Sequence, residues 1–330
     1  NLVPRPHYTT RGRGNEWEVR ELAKNVLEMT HEEWLHERTK GIGGSDAATV
    51  LGLNKYKTPF ELWLEKTGQS TNDTSSEAAY FGTLLEDLVA KEFEKRTGKK
   101  VRRNNFMLQH PKHDFIIANI DRKIVGEDAL LECKTASAYL ADEWEGNEIP
   151  AQYLVQVQHY MGVTGYEKAY VAVLIGGQRF IWKEVERDDE LIDMIFQAEI
   201  DFWNNHVLAN VPPPLDGSSA AEQYLKERYK ETDPDKVVNL AFDYKEKLEH
   251  YFELKDEIKR LQEMIKKVEN ELKNELKDAE IGITKGYQVT WKPITQNRVD
   301  SKLLKQKYPD VYKDVIKQSK YRRFSVKEID

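Results

Sequence analysis

Apolar residues switch between helical and strand spacing along the first two thirds of the chain. Apolar positions three and four apart predict helices, whereas alternation of apolar and polar positions predicts strands. In order, these patterns predict a helix at 81–96, strands at 101–109, 115–121 and 129–135, a helix at 152–163, strands at 168–175 and 179–185, and a helix at 189–207. A further helix is predicted at 16–29. This mixture predicts an α/β (α+β) core.

Breaks in the pattern divide the chain into four parts. Residues 1–15 contain turn formers without an apolar period, which predicts a mobile or vector-derived leader. Residues 16–210 form the predicted core, and Pro212-Pro213-Pro214 predicts a linker or cover loop at 211–235. Within residues 236–330, apolar positions recur at alternating steps of three and four up to Leu272. This spacing predicts a long, coiled-coil-like helix as a C-terminal extension, followed by a short β segment.

Composition narrows the class of protein. No apolar run approaches the roughly 18 residues that a membrane span needs, so a cytoplasmic protein without a membrane partner is expected. The single cysteine, Cys133, predicts neither an internal disulfide nor a cysteine-based zinc site. A net charge of −7 argues against a surface that coats nucleic acid indiscriminately. Any DNA contact is therefore expected to be local.

Acidic residues and a lysine are predicted to meet at one end of the sheet. In the strand at 129–135, side chains alternate, so Glu132 and Lys134 share one face and Cys133 lies on the other. The preceding strand ends in Asp121, and Glu86 on the helix after Gly82 adds a third carboxylate. With the backbone carbonyl of Cys133, these oxygens predict a site for Mg²⁺ or Mn²⁺.

This set of groups suits phosphodiester hydrolysis. A divalent metal lowers the pKa of water and screens the phosphate, while a lysine orients the attacking hydroxide or offsets developing charge. Two other interpretations stay open at this point. Glu132 and Lys134 could form an exposed ion pair on an edge strand, and a carboxylate pair could hydrolyse glycosides, although the lysine fits that less well.

Five motifs occur in the order found in a known nuclease family. They are Arg38 with Gly41-Ile-Gly-Gly-Ser-Asp46, Gly82-Thr-Leu-Leu-Glu86, Asn119-Ile-Asp121, Leu131-Glu-Cys-Lys134 and Gln156-Val-Gln-His-Tyr-Met161. Over residues 30–210 the chain therefore resembles the YqaJ viral recombinase family, the phage lambda exonuclease-like nucleases of the PD-(D/E)XK type. The proline that usually precedes the aspartate is Ile120 here, which leaves the metal ligand in place.

The resemblance implies a fold, an activity and partners. The fold would be a restriction-endonuclease-like core with a mixed central β-sheet flanked by helices. The activity would be Mg²⁺-dependent, ATP-independent 5′–3′ digestion of double-stranded DNA in phage-type recombination. By motif position, Glu86, Asp121, Glu132 and Lys134 inherit the catalytic and metal roles, and Gln156 is the active-site glutamine. A ring-shaped homotrimer and a single-strand annealing protein as partner are also implied.

Arg38 and Ser45 have the spacing at which family exonucleases hold a 5′-terminal phosphate. A glycine-rich turn with Ser45 as the N-cap of a helix would present free N–H groups, and Arg38 would add a two-pronged donor. The alternatives are an endonuclease on the same core, which cuts internal or branched DNA, and a non-catalytic DNA-binding or scaffold protein. An ordinary capped helix beside a surface arginine is the plainer interpretation of the turn.

Overall fold

The protein is described by a computed structural model that covers residues 20–25, 29–69, 77–317 and 321–327. The chain divides into two compact units, one ending at Glu227 and the other beginning at Arg228. The first unit has the helices α1 (His31–Thr39), α2 (Gly44–Val50), α3 (Pro59–Lys66), α4 (Glu77–Thr97), α5 (Ala151–Thr164), α6 (Asp189–Phe202) and, at its end, α7 (Ser219–Arg228). Its strands are β1 (Arg20–Asn25), β2 (Val101–Arg103), β3 (Phe106–Gln109), β4 (Ile117–Ala118), β5 (Arg122–Ile124), β6 (Ala129–Ala136), β7 (Lys168–Ile175) and β8 (Arg179–Glu186).

A five-stranded sheet in the order β2-β5-β6-β7-β8 forms the centre of the first unit. β6 and β7 run parallel, with Glu132 opposite Val171, and the other neighbours are antiparallel. A parallel pair needs a long crossover connection, which α5 provides. This mixed sheet flanked by helices confirms the predicted fold class.

The two faces of β6 pack against different helices. Leu131 faces α4, where it joins Val89, Phe93 and Tyr170 in one buried cluster. Leu130 faces the opposite side and joins a second cluster that includes residues of α5 such as Val157. Successive side chains of a strand point to opposite faces, so Glu132 and Lys134 follow Leu130 towards α5.

A small sheet in the order β1-β3-β4 corrects three of the sequence predictions. The helix predicted at 16–29 is wrong for 20–25, which form β1 and pair antiparallel with β3. The single strand predicted at 101–109 is two strands in different sheets, separated at Asn104. The strand predicted at 115–121 is reduced to β4, and β5 follows Asp121 directly. Whether these segments form strands depends on pairing with segments distant in sequence. The local apolar pattern carries no information about those partners.

The second unit contains a long helix and a hairpin. α8 covers Tyr244–Leu276, β9 (Ile281–Thr284) pairs antiparallel with β10 (Tyr287–Thr290), and α9 (Ser301–Lys307) and α10 (Pro309–Val315) follow. Six apolar residues of α8 repeat at steps of four and three and are 42–59% exposed: Leu254, Ile258, Leu261, Ile265, Val268 and Leu272. These six residues are called the α8 stripe below. The long helix is as predicted, and its apolar seam faces solvent within the described residues.

Residues 211–235, predicted as a linker or cover loop, include α7. Ala221 is buried in a cluster with residues of α3, and Tyr224 makes edge contacts with the rings of Phe60 and Trp63. The first unit therefore continues beyond the proline run. The leader predicted at 1–15 lies outside the described residues. Among the described helices, none is long and apolar enough to cross a membrane.

Candidate active site

Glu132 and Lys134 lie together on the face of β6 that points towards α5. Glu132 is 3% exposed, and its Oε1 is 2.7 Å from the Lys134 Nζ. Burial disfavours the charged form of Lys134, but Glu132 and Asp121 more than offset it, so the pKa of Lys134 lies above its usual value. Lys134 is therefore a cation at neutral pH, suited to offset negative charge and unsuited to accept a proton. Its Nζ also lies 5.0 Å from the centre of the Tyr153 ring.

Asp121 lies beside the backbone of the same strand. Its Oδ2 accepts a hydrogen bond from the Cys133 N–H at 2.8 Å. Burial, followed by the negative charges of Glu132 and Glu86, raises the pKa of Asp121 well above its usual value. The site thus concentrates more negative charge than its own lysine balances. The Cys133 side chain packs on the opposite face with the cluster around α4, as the strand alternation predicts.

Gln156 reaches this centre from α5. Its Nε2 donates to Glu132 Oε1 at 2.7 Å and to the Tyr160 hydroxyl at 3.0 Å. The amide therefore fixes one oxygen of Glu132. The other, Oε2, is buried and has no hydrogen-bond partner among the described residues. A buried carboxylate oxygen without a donor is costly unless a cation or a substrate group satisfies it.

Glu86 is close to this centre but is held by an arginine. Arg122 is buried, donates through Nη1 to Glu86 Oε1, and donates to the Asp121 carbonyl at 2.7 Å. Its Nη2 donates to Asp87. Arg122 was not among the residues predicted from the sequence. The available clue was an arginine that alternates with Ile120 and Ile124, next to the proposed ligand Asp121.

The residues present fit a hard divalent cation. Asp121 and Glu132 offer carboxylate oxygens, one of them buried and unsatisfied, and the raised pKa of Asp121 reflects surplus negative charge. In a strand, the N–H and C=O of one residue point to the same side, so the Cys133 carbonyl faces Asp121 as its N–H does. Within the described residues, no three His, Cys, Asp or Glu side chains converge as a metal cluster, which agrees with Glu86 being turned to Arg122.

Arg38 and Ser45, predicted as a phosphate pocket, are brought together. Arg38 Nη2 donates to Ser45 Oγ at 3.3 Å and lies 3.5 Å from Asp46 Oδ1. The guanidinium also lies over the Trp34 ring at 4.8 Å. Ser45 is exposed, so its hydroxyl is open to a ligand.

The prediction that Ser45 is an N-cap is wrong. The N-cap of α2 is Gly43, and the Asp46 carboxylate accepts the Gly43 N–H at 3.2 Å. Asp46 is three residues after Gly43 and so closes the first turn from inside the helix. Lys66, whose side chain is 0% exposed, pairs with Asp46 Oδ2 at 2.7 Å and donates to the Arg38 carbonyl at 2.8 Å. Burial opposes ionisation of Asp46, yet Lys66 and Arg38 hold its pKa well below its usual range.

His159 and two tryptophans lie in the core. His159 is 0% exposed, with Nδ1 2.7 Å from Glu199 Oε1 and Nε2 2.8 Å from the Ile117 carbonyl. Trp63 and Trp144 are buried. These three side chains are therefore packing residues of the core.

Comparison with known proteins places the chain in a family. Residues 33–167 match the YqaJ-like viral recombinase domain. The protein YqaJ of Bacillus subtilis is 60% identical over 311 residues, which are 93% of this chain and 97% of that protein. The chain belongs to the YqaJ-like viral recombinase family. Protein D345L of African swine fever virus is 35% identical over 65 residues, which are 20% of this chain and 19% of the viral protein.

Two solved structures are also similar to this YqaJ-like chain. The alkaline exonuclease LHK-Exo from Laribacter hongkongensis has 20% identity and a TM-score of 0.46, over 60% of this chain and 98% of that one. A phage-related exonuclease from Haemophilus somnus has 16% identity and a TM-score of 0.42, over 52% and 96% of the two chains. Family membership confirms the resemblance inferred from the five motifs, and the family is described as one of viral recombinases.

Proposed function

We propose that the protein is a metal-dependent 5′–3′ exonuclease that digests double-stranded DNA from a phosphorylated end, without ATP, in single-strand annealing recombination. The observation that carries the proposal is the placement of Asp121, directly before β5, within electrostatic reach of Glu132 on β6, together with a Glu132 Oε2 that is buried and has no hydrogen-bond partner among the described residues. Lys134 and Gln156 hold the other oxygen of Glu132. Such a centre needs a cation, and DNA phosphates bring further negative charge to it.

Each side chain has a role in the proposal. Asp121, Glu132 and the Cys133 carbonyl would hold Mg²⁺ or Mn²⁺, which would lower the pKa of water and screen the phosphate charge. Lys134 would offset charge that develops on the phosphate, consistent with its raised pKa. Gln156 would keep Glu132 in one orientation. Glu86 would be the outer carboxylate of the set, since its charge already acts on Asp121 while Arg122 holds its Oε1.

The Arg38 and Ser45 pair supports the proposal that the protein recognises a DNA end. A guanidinium and an adjacent hydroxyl are donors to phosphate oxygens, and Ser45 is exposed. Asp46 keeps the guanidinium near Ser45, and Lys66 keeps Asp46 in place. We propose that this pair binds the terminal 5′-phosphate. An endonuclease on the same core remains the second candidate, because a duplex could pass the cluster without using the pair.

Digestion of matched linear and closed-circular DNA tests this proposal. With MgCl₂, we expect degradation of linear duplexes, a preference for 5′-phosphate over 5′-hydroxyl ends, and intact circles. Lys134→Ala is expected to lower the rate by roughly 100-fold or more, because a charge-stabilising donor is lost. Lys259→Ala, which changes an exposed lysine of α8, is the matched control. Cutting of circles would favour the endonuclease, and an active Lys134→Ala would refute the site.

Partners and assembly also belong to the proposal. A homotrimer, a single-strand annealing protein and a cytoplasmic location follow from the family resemblance. The exposed α8 stripe adds a physical reason to expect association, because six apolar residues at coiled-coil spacing gain from being covered. We propose that α8 extends the oligomer or docks the annealing protein.

A further inference from the structure

Tyr160 of α5 lies between the two halves of the proposed site. Its ring packs against Gly44, the first residue of α2, so closely that a Cβ on Gly44 would lie 2.4 Å from the Tyr160 Cε1. Its hydroxyl accepts the Gln156 Nε2 hydrogen bond at 3.0 Å. The residue is 5% exposed. One side chain therefore contacts the turn that carries Ser45 and the glutamine that holds Glu132.

These contacts form a continuous chain. Gln156 has two amide N–H donors and uses them on Glu132 and Tyr160. On the other side, Gly44 directly precedes Ser45, whose hydroxyl binds Arg38. The absence of a side chain on Gly44 is what lets α2 approach the ring. The Tyr160 ring is rigid and buried. Its width therefore sets the separation between the Arg38 and Ser45 pair on one side and Gln156 with Glu132 on the other.

The charges of both halves also act on Tyr160. Burial, then Glu132 and Asp121, raise the pKa of its hydroxyl, while Arg38 acts in the opposite direction. The hydroxyl therefore stays neutral across the physiological range. Because Tyr160 is uncharged, its position does not depend on whether the carboxylates hold a cation or Arg38 and Ser45 hold a DNA phosphate.

We propose that Tyr160 is a positioning residue that fixes the distance between the end-binding pair and the hydrolytic centre, and thereby the length of the released product. This inference rests on the proposed function. If the terminal phosphate is held at Arg38 and Ser45 and the cut is made beside Glu132, the number of nucleotides between them is set by that distance. A single product length follows for the unaltered protein.

Two kinds of substitution distinguish the contribution of the Tyr160 ring from that of its hydroxyl. Tyr160→Phe keeps the ring and removes the acceptor for Gln156, so we expect one product length, an unchanged KM and a kcat lower by roughly 3- to 10-fold. Tyr160→Ala removes the ring, so we expect products of mixed length and a weaker preference for 5′-phosphate ends. Gly44→Ala pushes on the ring with the tyrosine present and is expected to give mixed lengths too.

Product length is measured on end-labelled duplexes with the full chain, after thermal melting confirms that each variant folds. If Tyr160→Ala and Gly44→Ala both release the same single length as the unaltered protein, the inference is overturned. A Tyr160→Phe that mixes lengths as strongly as Tyr160→Ala would overturn the role of the ring. If one of the two ring-disturbing variants does not fold, the other decides. Cutting of circles by the unaltered protein, or an active Lys134→Ala, would refute the proposed function itself and this inference with it.

Discussion

Asp121 shows how the proposed site is in electrostatic conflict with the fold that holds it. The carboxylate is buried next to Glu132, and the charge of Glu86 adds to the repulsion, so the pKa of Asp121 is raised. A carboxyl group whose pKa is raised by folding lowers the stability of the metal-free protein as the pH rises above the pKa of that group in the unfolded chain. Function and stability therefore make opposite demands on this residue.

Asp121→Asn is expected to raise the melting temperature of the metal-free protein by roughly 2–4 °C, the shift that about 1 kcal/mol gives in a domain of this size. The amide still accepts the Cys133 N–H but carries no charge. Excess MgCl₂ is expected to stabilise the unaltered protein and not the variant. Differential scanning fluorimetry with EDTA or MgCl₂ measures both effects.

Asp256→Asn, at an exposed position of α8, is the matched control and should respond to MgCl₂ as the unaltered protein does. Equal stabilisation of Asp121→Asn by MgCl₂ would contradict the assignment of Asp121 as a ligand. A lower melting temperature of that variant without metal would contradict the electrostatic conflict.

The sequence was enough to predict the positions of site residues that follow from the alternation of side chains within one strand. The alternation of one strand was enough to put Glu132 and Lys134 on one face and Cys133 on the other, as the structure has them. Arg122 could not be found in this way, because its partner Glu86 is 36 positions away and on a helix. The N-cap of α2 was assigned to Ser45 since serine is a common cap, whereas the Asp46 carboxylate closes the turn on Gly43.

At the scale of elements, the same contrast separates helices from short strands. The core helices repeat their apolar residues over several turns, so their positions follow from the sequence. β1 does not: its partner β3 lies more than 80 positions further along the chain, and the local sequence favours a helix. β4 and β5 are too short for alternation to define them, and they exist because neighbouring strands accept their hydrogen bonds.

The ion pair that joins α2 to α3 gives a prediction at this scale. Lys66→Met leaves the buried Asp46 without its main partner, so we expect a loss of roughly 3–5 kcal/mol in the free energy of unfolding. Asp46 would then compete more strongly for Arg38, and the preference for 5′-phosphate ends should fall. Urea unfolding measures the first effect, and digestion of paired 5′-phosphate and 5′-hydroxyl duplexes measures the second.

The double variant Asp46→Asn with Lys66→Met removes both charges and is expected to recover part of the lost stability. Lys57→Met is the control, because its pair with Glu65 is partly exposed and is expected to contribute about 0–1 kcal/mol. If Lys66→Met is no more harmful than Lys57→Met, the pair does not hold the two helices together.

At the scale of the whole molecule, the end of the first unit does not coincide with the strongest break in the sequence pattern. The proline run at Pro212–Pro214 is the strongest break in the sequence, but α7 follows it and packs on α3 through Ala221 and Tyr224. The sequence shows where the pattern stops. It does not show that the next helix returns to the same core, because that contact joins residues about 160 positions apart.

A chain that ends at Glu227 is expected to fold in one cooperative transition and to keep Mg²⁺-dependent hydrolysis, since every proposed site residue lies before that point. Without α8 it should form smaller assemblies in light scattering than the full chain does. A chain that ends at Val211 lacks α7 and should be less stable by a few kcal/mol, about the cost of losing buried aromatic contacts. Unchanged assembly size after truncation at Glu227 would refute the proposal that α8 extends the oligomer.

The central place of β6 in the sheet has one further consequence. The strand pairs with β7 along its whole length and with β5 at Leu130 and Leu131, and it is covered on both faces. Amides of such a strand exchange with solvent only when the whole unit opens, whereas edges and loops open locally. The spacing of Glu132 and Lys134 is therefore held by the pairing of β6 with β7. We expect substitutions in α2 and the loops to change the proposed activity with less loss of stability than substitutions in β6.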